Sequence, residues 1–209
     1  MNNLILLKKI SKSYSENKRI PVLKKANYLF SKGKIYSLMG PSGSGKSTLL
    51  NILSMIDKPT SGSLKIDNNE INFSDTVAND KIRSKKIGII YQQNNLLPDF
   101  TALENVYLAS LAINDNKKKS IEKAKIIIKK MGLSSREHHY PSQLSGGEIQ
   151  RIAIARALIN EPEIILADEP TGSLDQSTGK DVFKVLYKLK NKNRLIIYAT
   201  HNRFFANMA

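Results

Sequence analysis

One eight-residue segment, GPSGSGKS at Gly40–Ser47, constrains the fold of this chain more than any other feature. It satisfies the pattern G-x-x-x-x-G-K-[ST] and lies between an apolar run that ends at Met39 and a helical pattern that begins at Thr48. Glycines let backbone N–H groups approach a phosphate closely, and the following helix adds the positive end of its dipole. The sequence therefore predicts a nucleotide-binding loop between a strand and a helix, made by Gly40, Pro41, Ser42, Gly43, Ser44, Gly45, Lys46, Ser47 and Thr48.

Four side chains supply the chemistry that such a site needs. Lys46 would contact the β- and γ-phosphates of ATP, and the Ser47 hydroxyl would ligate Mg²⁺. Further along, the apolar run Ile164–Ala167 ends in two carboxylates, Asp168 and Glu169. At the end of a buried strand Asp168 can hold Mg²⁺ through water, and Glu169 can polarise a water for attack on the γ-phosphate. The sequence thus predicts ATP hydrolysis with Mg²⁺.

Strand and helix patterns alternate along most of the chain. Strands are expected at Leu4–Ile10, Ile20–Leu29, Lys34–Met39, Ser63–Asp67, Lys86–Tyr91, Glu163–Ala167 and Arg194–Thr200. Helices are expected at Thr48–Ile56, Thr101–Ile113, Ser120–Met131, 147–160 and Thr178–Lys190. The polar segment Ser11–Arg19 is expected to be a connection. This alternation is typical of a parallel α/β core, and the strand-free stretch from Leu96 to Leu133 is typical of a helical insertion.

The pentapeptide LSGGE at Leu144–Glu148 narrows the class of nucleotide-binding protein. Two adjacent glycines weaken a helix interior but suit its first turn, where N–H groups can approach a ligand. With the phosphate loop and the acidic strand, this pentapeptide resembles the signature of ATP-binding-cassette (ABC) ATPases. In that family Ser145, Gly146 and Gly147 present a helix N-terminus to the ATP of a second copy, so that two chains sandwich two nucleotides head to tail.

The same resemblance implies roles for four more residues. Gln92 matches the glutamine that senses Mg²⁺ and links to the partner, and Asp175 lies in the segment that matches the D-loop. His201 matches the switch histidine near the γ-phosphate. Tyr14 lies where the family places an aromatic that stacks on adenine, although simple packing is as common for such a residue. The implied catalytic set is Lys46, Gln92, Glu169 and His201, and the implied Mg²⁺ ligands are Ser47, Gln92 and Asp168.

The resemblance covers essentially the whole chain and implies a single ABC ATPase domain over residues 1–209. Its fold would be α/β, a P-loop NTPase core of the RecA-like type with an N-terminal antiparallel β subdomain and a helical insertion subdomain. Residues 1–91 and 156–209 would form the core with its antiparallel part, and about 92–155 the helical subdomain. Relatives usually continue past the switch histidine with a further strand and helix, whereas this sequence stops at Ala209, which leaves the stability of that edge an open question.

The segments Asn95–Val106 and Ala167–Asp175 resemble more narrowly the lipoprotein-releasing ATPases, a group similar to the macrolide-export and cell-division ABC ATPases. This resemblance implies an ATPase bound peripherally to the cytoplasmic face of the inner membrane, beneath integral membrane subunits. A short cytoplasmic helix of such a subunit would enter a cleft near Leu96, Leu97 and Phe100. These three apolar residues are equally compatible with core positions.

The formal net charge of +15 could indicate a nucleic acid or an anionic membrane as partner. The excess comes mainly from Lys, which with Asn and Ile has A/T-rich codons, and the clustered Arg and interleaved aromatics typical of nucleic-acid readers do not occur. We therefore expect no nucleic-acid partner. The chain has no cysteine, which excludes disulfides and thiolate metal sites. With no apolar stretch near the roughly 20 residues of a membrane span and no basic signal region at its start, it is expected to be cytosolic.

Three alternatives remain at this point. ABC ATPases without transport, such as translation or DNA-repair factors, typically carry two cassettes, coiled coils or zinc-binding cysteines. A non-enzymatic nucleotide-binding module would not need Lys46, Asp168, Glu169 and His201 together. A macrolide-export or cell-division ATPase would differ mainly in its membrane subunits. Two positions depart from the family pattern: Ile149 replaces a usually polar residue, and Asn202 replaces the Asp that usually follows the switch histidine.

Overall fold

The computed structural model describes residues 3–15, 19–113 and 116–209. In this part of the chain the strands are β1 (Asn3–Ser15), β2 (Arg19–Ser31), β3 (Ile35–Met39), β4 (Ser61–Ile66), β5 (Asn69–Glu70), β6 (Ile87–Ile90), β7 (Ile164–Asp168) and β8 (Leu195–Thr200). The α-helices are α1 (Lys46–Leu53), α2 (Thr76–Lys86), α3 (Ala102–Leu111), α4 (Lys117–Lys130), α5 (Gly146–Leu158), α6 (Gln176–Lys188) and α7 (Arg203–Ala206). Two single 3₁₀ turns, Ser134–Arg136 and Pro141–Gln143, lead into α5.

The strands form two four-stranded sheets. One is antiparallel, in the order β2-β1-β4-β5, and the other is parallel where its pairs are described, in the order β3-β8-β7-β6. Parallel neighbours require crossover connections, which the helices between these strands provide. The α/β class and the N-terminal antiparallel part are therefore as predicted.

Alternation of side chains along the parallel strands divides the interior into two cores. On β7, Ile164 and Leu166 face a core shared with α1 and the antiparallel sheet, which contributes Leu7 and Leu64 among others. Ile165 and Ala167, on the opposite face, belong to a core shared with α3, α4, α5 and α6. Every residue of β8 is buried, as expected for a central strand covered on both faces. The acidic strand end is thus held by a buried strand, and the phosphate loop follows the half-buried β3, which pairs with the buried central strand β8.

Helices α3 and α4 pack on each other and on α5. Their first turns carry side-chain caps: Thr101 and Glu104 form a reciprocal capping box at α3, and Asn116 caps α4. The boundary predicted near residue 155 falls inside α5, which extends from the helical region towards β6. The division into a core and a helical subdomain stays a prediction.

One expectation about local structure is wrong in part, and one helix was not predicted. The segment Ser11–Arg19 was expected to connect two strands, but β1 continues to Ser15 and β2 begins at Arg19, because antiparallel pairing with β2 extends the strand where polarity would suggest a loop. Residues 16–18 of that segment lie outside the described residues. Helix α2 was not predicted, since Asn79 is its one buried residue and no apolar stripe marks it. Asp75 caps its N-terminus by accepting from the Ala78 N–H.

The residues after β8 pack against the parallel sheet through α7. Phe205 is buried, and its ring stacks on Phe183 at a centroid distance of 5.0 Å. The Tyr198 hydroxyl donates to the Phe205 carbonyl at 2.5 Å, and burial raises the pKa of Tyr198 to about 12. No helix within the described ranges is long and apolar enough to cross a membrane.

Candidate nucleotide site

The loop at residues 40–47 has the backbone geometry that its glycines allow. Gly43 and Gly45 have φ values of 78° and 91°, in the left-handed region that disfavours other residues. Gly45 is the N-cap of α1, and a Cβ built on it would lie 2.9 Å from Cγ1 of Val22. Strand β2 therefore closes against the loop so tightly that only glycine fits.

Lys46 is already surrounded by oxygen acceptors. Its Nζ donates to the carbonyls of Gly40 at 2.8 Å and Pro41 at 3.0 Å and lies 3.9 Å from Oε1 of Glu169. The side chains of Lys46 and Glu169 are each 11% exposed, so the ammonium group is desolvated while remaining open to the loop cavity. A charged group held in this way is well placed to bind a phosphate oxygen.

The two carboxylates at the end of β7 have different surroundings. Oδ1 of Asp168 is buried and has no hydrogen-bond partner among the described residues. Glu169 has a φ of 44°, and its backbone N–H donates to the Ala199 carbonyl at 3.1 Å. Its Oε1 lies 3.0 Å from Nδ1 of His201. The backbone turn after β7 therefore directs adjacent carboxylates into different contacts.

A cavity of about 390 Å³ brings several of these side chains together. It is lined by Val22, Ser42, Gly43, Ser44, Gly45, Lys46, Ser47, Thr48, Gln92, Glu169 and His201. Nearly all of these were predicted from the sequence as nucleotide-site residues. Val22 was not, because its contribution depends on how closely β2 approaches the loop. The cavity is lined by a cationic phosphate loop together with a carboxylate, a histidine and an amide. These are the groups that phosphoanhydride hydrolysis needs.

The resemblance to ABC ATPases implies Mg²⁺ at this site, so the side chains around the loop should include donors that suit this ion. The described residues contain no group of three or more His, Cys, Asp or Glu side chains that could hold a metal ion. An ion at this site would therefore need phosphate oxygens and water, together with the hydroxyl of Ser47 and the amide oxygen of Gln92. The unpartnered, buried Oδ1 of Asp168 fits that role, since buried carboxylate oxygens normally have a partner.

The signature segment lies outside this cavity. Ser145 is the N-cap of α5: its Oγ accepts from the Glu148 N–H at 3.3 Å, and Oε2 of Glu148 accepts from the Ser145 N–H at 2.8 Å. The hydrogen bond from the Ser145 backbone lowers the pKa of Glu148, and so does the Arg136 guanidinium, whose Nε donates to Oε1 of Glu148 at 3.0 Å. Ser145 and Gly146 are exposed, while Gly147 is buried against α6. The helix start is therefore rigid and presented to solvent.

Four other predicted nucleotide contacts also lie outside the lining of the cavity: Gly40 and Pro41, whose carbonyls accept from Lys46, and Asp175 and Tyr14. Asp175 caps α6 by accepting from the N–H groups of Ser177 at 3.0 Å and Thr178 at 3.1 Å. Hydrogen bonds from Thr178 and Ser177 hold the pKa of Asp175 at about 2. Tyr14 is 44% exposed, and its hydroxyl donates to Oδ2 of Asp57 at 2.9 Å. The structure thus gives all four residues a local contact, and their roles toward nucleotide stay predictions.

The apolar residues after Gln92 divide between surface and core. Leu97 and Phe100 are 46% and 38% exposed, whereas Leu96 packs against the helical core. Asn105 fixes this segment: its side chain accepts from the Leu97 N–H at 2.7 Å and donates to the Phe100 carbonyl at 2.9 Å. The segment is a stiff surface feature with two apolar side chains facing solvent.

The chain is similar to known proteins over nearly its whole length. The family model described as ABC transporter matches residues 23–172. The lipoprotein-releasing system ATP-binding protein LolD of Rickettsia bellii is 47% identical over 99% of this chain and 92% of its own length. The macrolide export ATP-binding/permease protein MacB of Mannheimia succiniciproducens is 42% identical over 99% of this chain and 32% of its own length. A dimeric ATP-binding cassette, solved in a post-hydrolysis state bound to ADP and Pi, has a TM-score of 0.90 at 42% identity and covers 99% of this chain and 91% of its own.

Proposed function

The chain belongs to the ABC transporter family as an ATP-binding and ATP-hydrolysing subunit, and we propose that it powers the release of lipoproteins from the inner membrane. The observation that carries the proposal is the 47% identity to a lipoprotein-releasing ATPase over nearly the full length of both chains. Macrolide export is the second candidate, supported by 42% identity to MacB, of which this chain spans 32%. The proposed location is the cytoplasmic face of the inner membrane, against integral membrane subunits.

In the proposed mechanism the loop amides and Lys46 bind the phosphates of ATP. Glu169, oriented by its hydrogen bond to His201 at 3.0 Å, accepts the proton of the attacking water. Ser47, Gln92 and Asp168 would hold Mg²⁺, which when bound neutralises the phosphate charge. The 3.9 Å separation between Nζ of Lys46 and Oε1 of Glu169 supports this assignment, since a phosphate bound by Lys46 would lie close to the proposed base.

The proposed active form is a head-to-tail dimer in which Ser145, Gly146, Gly147 and Asp175 of each copy face the nucleotide of the other. This arrangement is supported by the exposure of Ser145 and Gly146 on a capped helix start outside the chain's own cavity. The structural neighbour bound to ADP and Pi is itself dimeric. The N-terminus of α5, with 13 residues, offers free N–H groups and a positive dipole end to a phosphate.

The dimer is tested with two variants and size-exclusion chromatography in Mg-ATP. Glu169→Gln keeps the shape of the base but not its proton affinity, so hydrolysis falls about 10²–10⁴-fold and the ATP-bound dimer accumulates. Adding Ser145→Asp keeps a helix-capping oxygen and sets a carboxylate against the partner's γ-phosphate, so the dimer is lost without unfolding. A Glu169→Gln protein that stays monomeric, or a double variant that still dimerises, contradicts the arrangement.

The transported substrate is tested with the membrane subunits of the source genome, purified together with this chain and placed in proteoliposomes. A triacylated lipoprotein should leave the vesicles on addition of Mg-ATP, and the Lys46→Ala complex should release none. Labelled erythromycin is the matched substrate for the second candidate. Macrolide movement without lipoprotein release would replace the first proposal by the second.

A further inference from the structure

Arg156 makes an unusual contact from the last turn of α5. Its Nη1 donates to the Asn95 carbonyl at 2.5 Å, and its Nη2 donates to the Asn94 carbonyl at 2.6 Å. Asn95 has a φ of 49°, so the backbone turns there, and two successive carbonyls accept from one guanidinium. The planar fork of arginine suits such a pair, which a lysine ammonium can satisfy only in part.

The charge of this guanidinium is stabilised by main-chain dipoles. The side chain is half-buried, and burial lowers the pKa of Arg156. Within the described ranges no carboxylate lies within 4.0 Å of its nitrogen atoms. A desolvated cation without a counter-charge is costly, and its two carbonyl contacts offset that cost only while the loop stays in place.

The loop that Arg156 holds is the one that carries Gln92. Asn94 and Asn95 follow Gln92 by two and three residues, and Gln92 lines the nucleotide cavity. The opposite end of the same helix begins at the exposed Ser145 and Gly146. One rigid helix of 13 residues therefore touches the Gln92 loop at one end and offers the signature segment at the other.

A second side chain near this end of α5 strengthens the junction. Asn160, one helical turn after Arg156, donates to the carbonyl of Ser84 in α2 at 3.2 Å and of Ala109 in α3 at 2.9 Å. Arg156 and Asn160 also line a cavity of about 600 Å³ between α2, α3 and β6. Asn160 therefore ties this end of α5 to α2 and α3, next to the point where Arg156 holds the Gln92 loop.

We propose that Arg156 is a positioning residue for ATP hydrolysis, which holds the Gln92 loop at the nucleotide cavity and couples it mechanically to the signature end of α5. The inference rests on the proposed role of Gln92 at the metal and γ-phosphate. Arg156 itself does not line the nucleotide cavity. Its effect is to fix where the Gln92 amide lies when the dimer closes.

The test compares Arg156→Met with a matched control, Arg194→Met. Arg194 is also partly buried, its pKa is likewise lowered by burial, and it donates to two main-chain carbonyls, of Pro162 and Leu189, both at 3.1 Å. It lies outside the nucleotide cavity. The full chain is followed by amide hydrogen exchange over residues 92–96, by thermal unfolding, and by kcat and KM for ATP hydrolysis with Mg²⁺.

Arg156→Met should speed exchange over residues 92–96 by about tenfold, because the loop opens once its anchor is gone. It should lower kcat by about 10–100-fold, the scale of a misplaced catalytic group, with little change in KM. Arg156→Lys should recover part of both losses. Arg194→Met should lose comparable thermal stability while exchange over 92–96 and kcat stay at the parent values.

Equal losses of kcat in the two methionine variants, or unchanged exchange over 92–96 in Arg156→Met, would overturn the positioning role. Failure of the proposed function has a different signature. The parent itself would then show no hydrolysis sensitive to Lys46→Ala, while the exchange measurement would still report on the contact between Arg156 and the Gln92 loop.

Discussion

Replacing Gly147 by Ala tests why the first turn of the signature helix α5 contains glycine at this position. A Cβ built on Gly147 would lie 2.5 Å from Cγ2 of Thr178 in α6, whereas ordinary contacts begin at 3.4 Å. At the neighbouring Gly146 the added atom would meet the tip of Leu174 at 3.2 Å. The leucine end can rotate away, but the β-branched threonine has little freedom. The two substitutions therefore make a matched pair with different steric outcomes.

The difference in free energy of unfolding can be worked out from these contacts. Both alanines gain up to about 1 kcal/mol of helix propensity over glycine, and this gain cancels between them. Overpacking at Gly147 costs about 1–3 kcal/mol, whereas Gly146→Ala should cost little. Gly147→Ala should therefore be less stable than Gly146→Ala by about 1–3 kcal/mol.

Urea unfolding of the two variants, with and without Thr178→Ser, measures this difference. Serine keeps the hydroxyl that bonds Asp175 and removes Cγ2, so it should restore most of the stability of Gly147→Ala. Equal stability of the two alanine variants, or no restoration by serine, would refute the steric argument. The remaining reason for a glycine at position 147 would then be the close approach of a phosphate bound to the partner copy.

Three further predictions follow from the described contacts. Lys46→Ala removes charge-assisted hydrogen bonds worth roughly 1.5–3 kcal/mol each, so ATP affinity measured by titration should fall more than tenfold. The folded pKa of Asp175, about 2, lies below its ordinary 3.8, so the free energy that the carboxylate adds to folding is complete above pH 3.8 and is lost as pH falls towards 2. Asp175→Asn keeps a capping side chain but does not titrate, so its free energy of unfolding should fall less steeply between about pH 4 and pH 2 than that of the parent. Leu97→Asp should leave the melting temperature unchanged, because Leu97 is exposed, and should abolish stimulation of hydrolysis by the membrane subunits.

Much of the fold could be predicted because its signals are local. The phosphate loop, the α1 start and the apolar strands β7 and β8 each follow from a few consecutive residues. The signature segment was predicted to begin a helix, and α5 does begin at Gly146 with Ser145 as its cap. In these segments side-chain capping, glycine geometry and burial all favour one structure.

What the sequence did not predict depends on contacts between distant segments. The approach of Val22 to Gly45, the packing of Gly147 on Thr178 and the bonds from Arg156 to the Gln92 loop join residues far apart in the chain. The capping role of Glu104 was missed as well: its Oε2 accepts from the Thr101 N–H at 2.8 Å, so the side chain stabilises the start of α3. Helix α2 has too little amphipathic pattern to be seen without its neighbours.

The different chemistry of the adjacent carboxylates follows from the backbone at one residue. In a continuing strand Asp168 and Glu169 would point to opposite faces of the sheet. Strand β7 ends at Asp168, and Glu169 instead adopts a φ of 44°, which costs about 1 kcal/mol for a residue with a Cβ. The backbone bond to the Ala199 carbonyl holds that conformation and brings Oε1 to His201 and Lys46. Because this geometry belongs to the main chain, Glu169→Gln should keep it, and the loss of hydrolysis in that variant reports the loss of the carboxylate, as base and as the negative partner of Lys46.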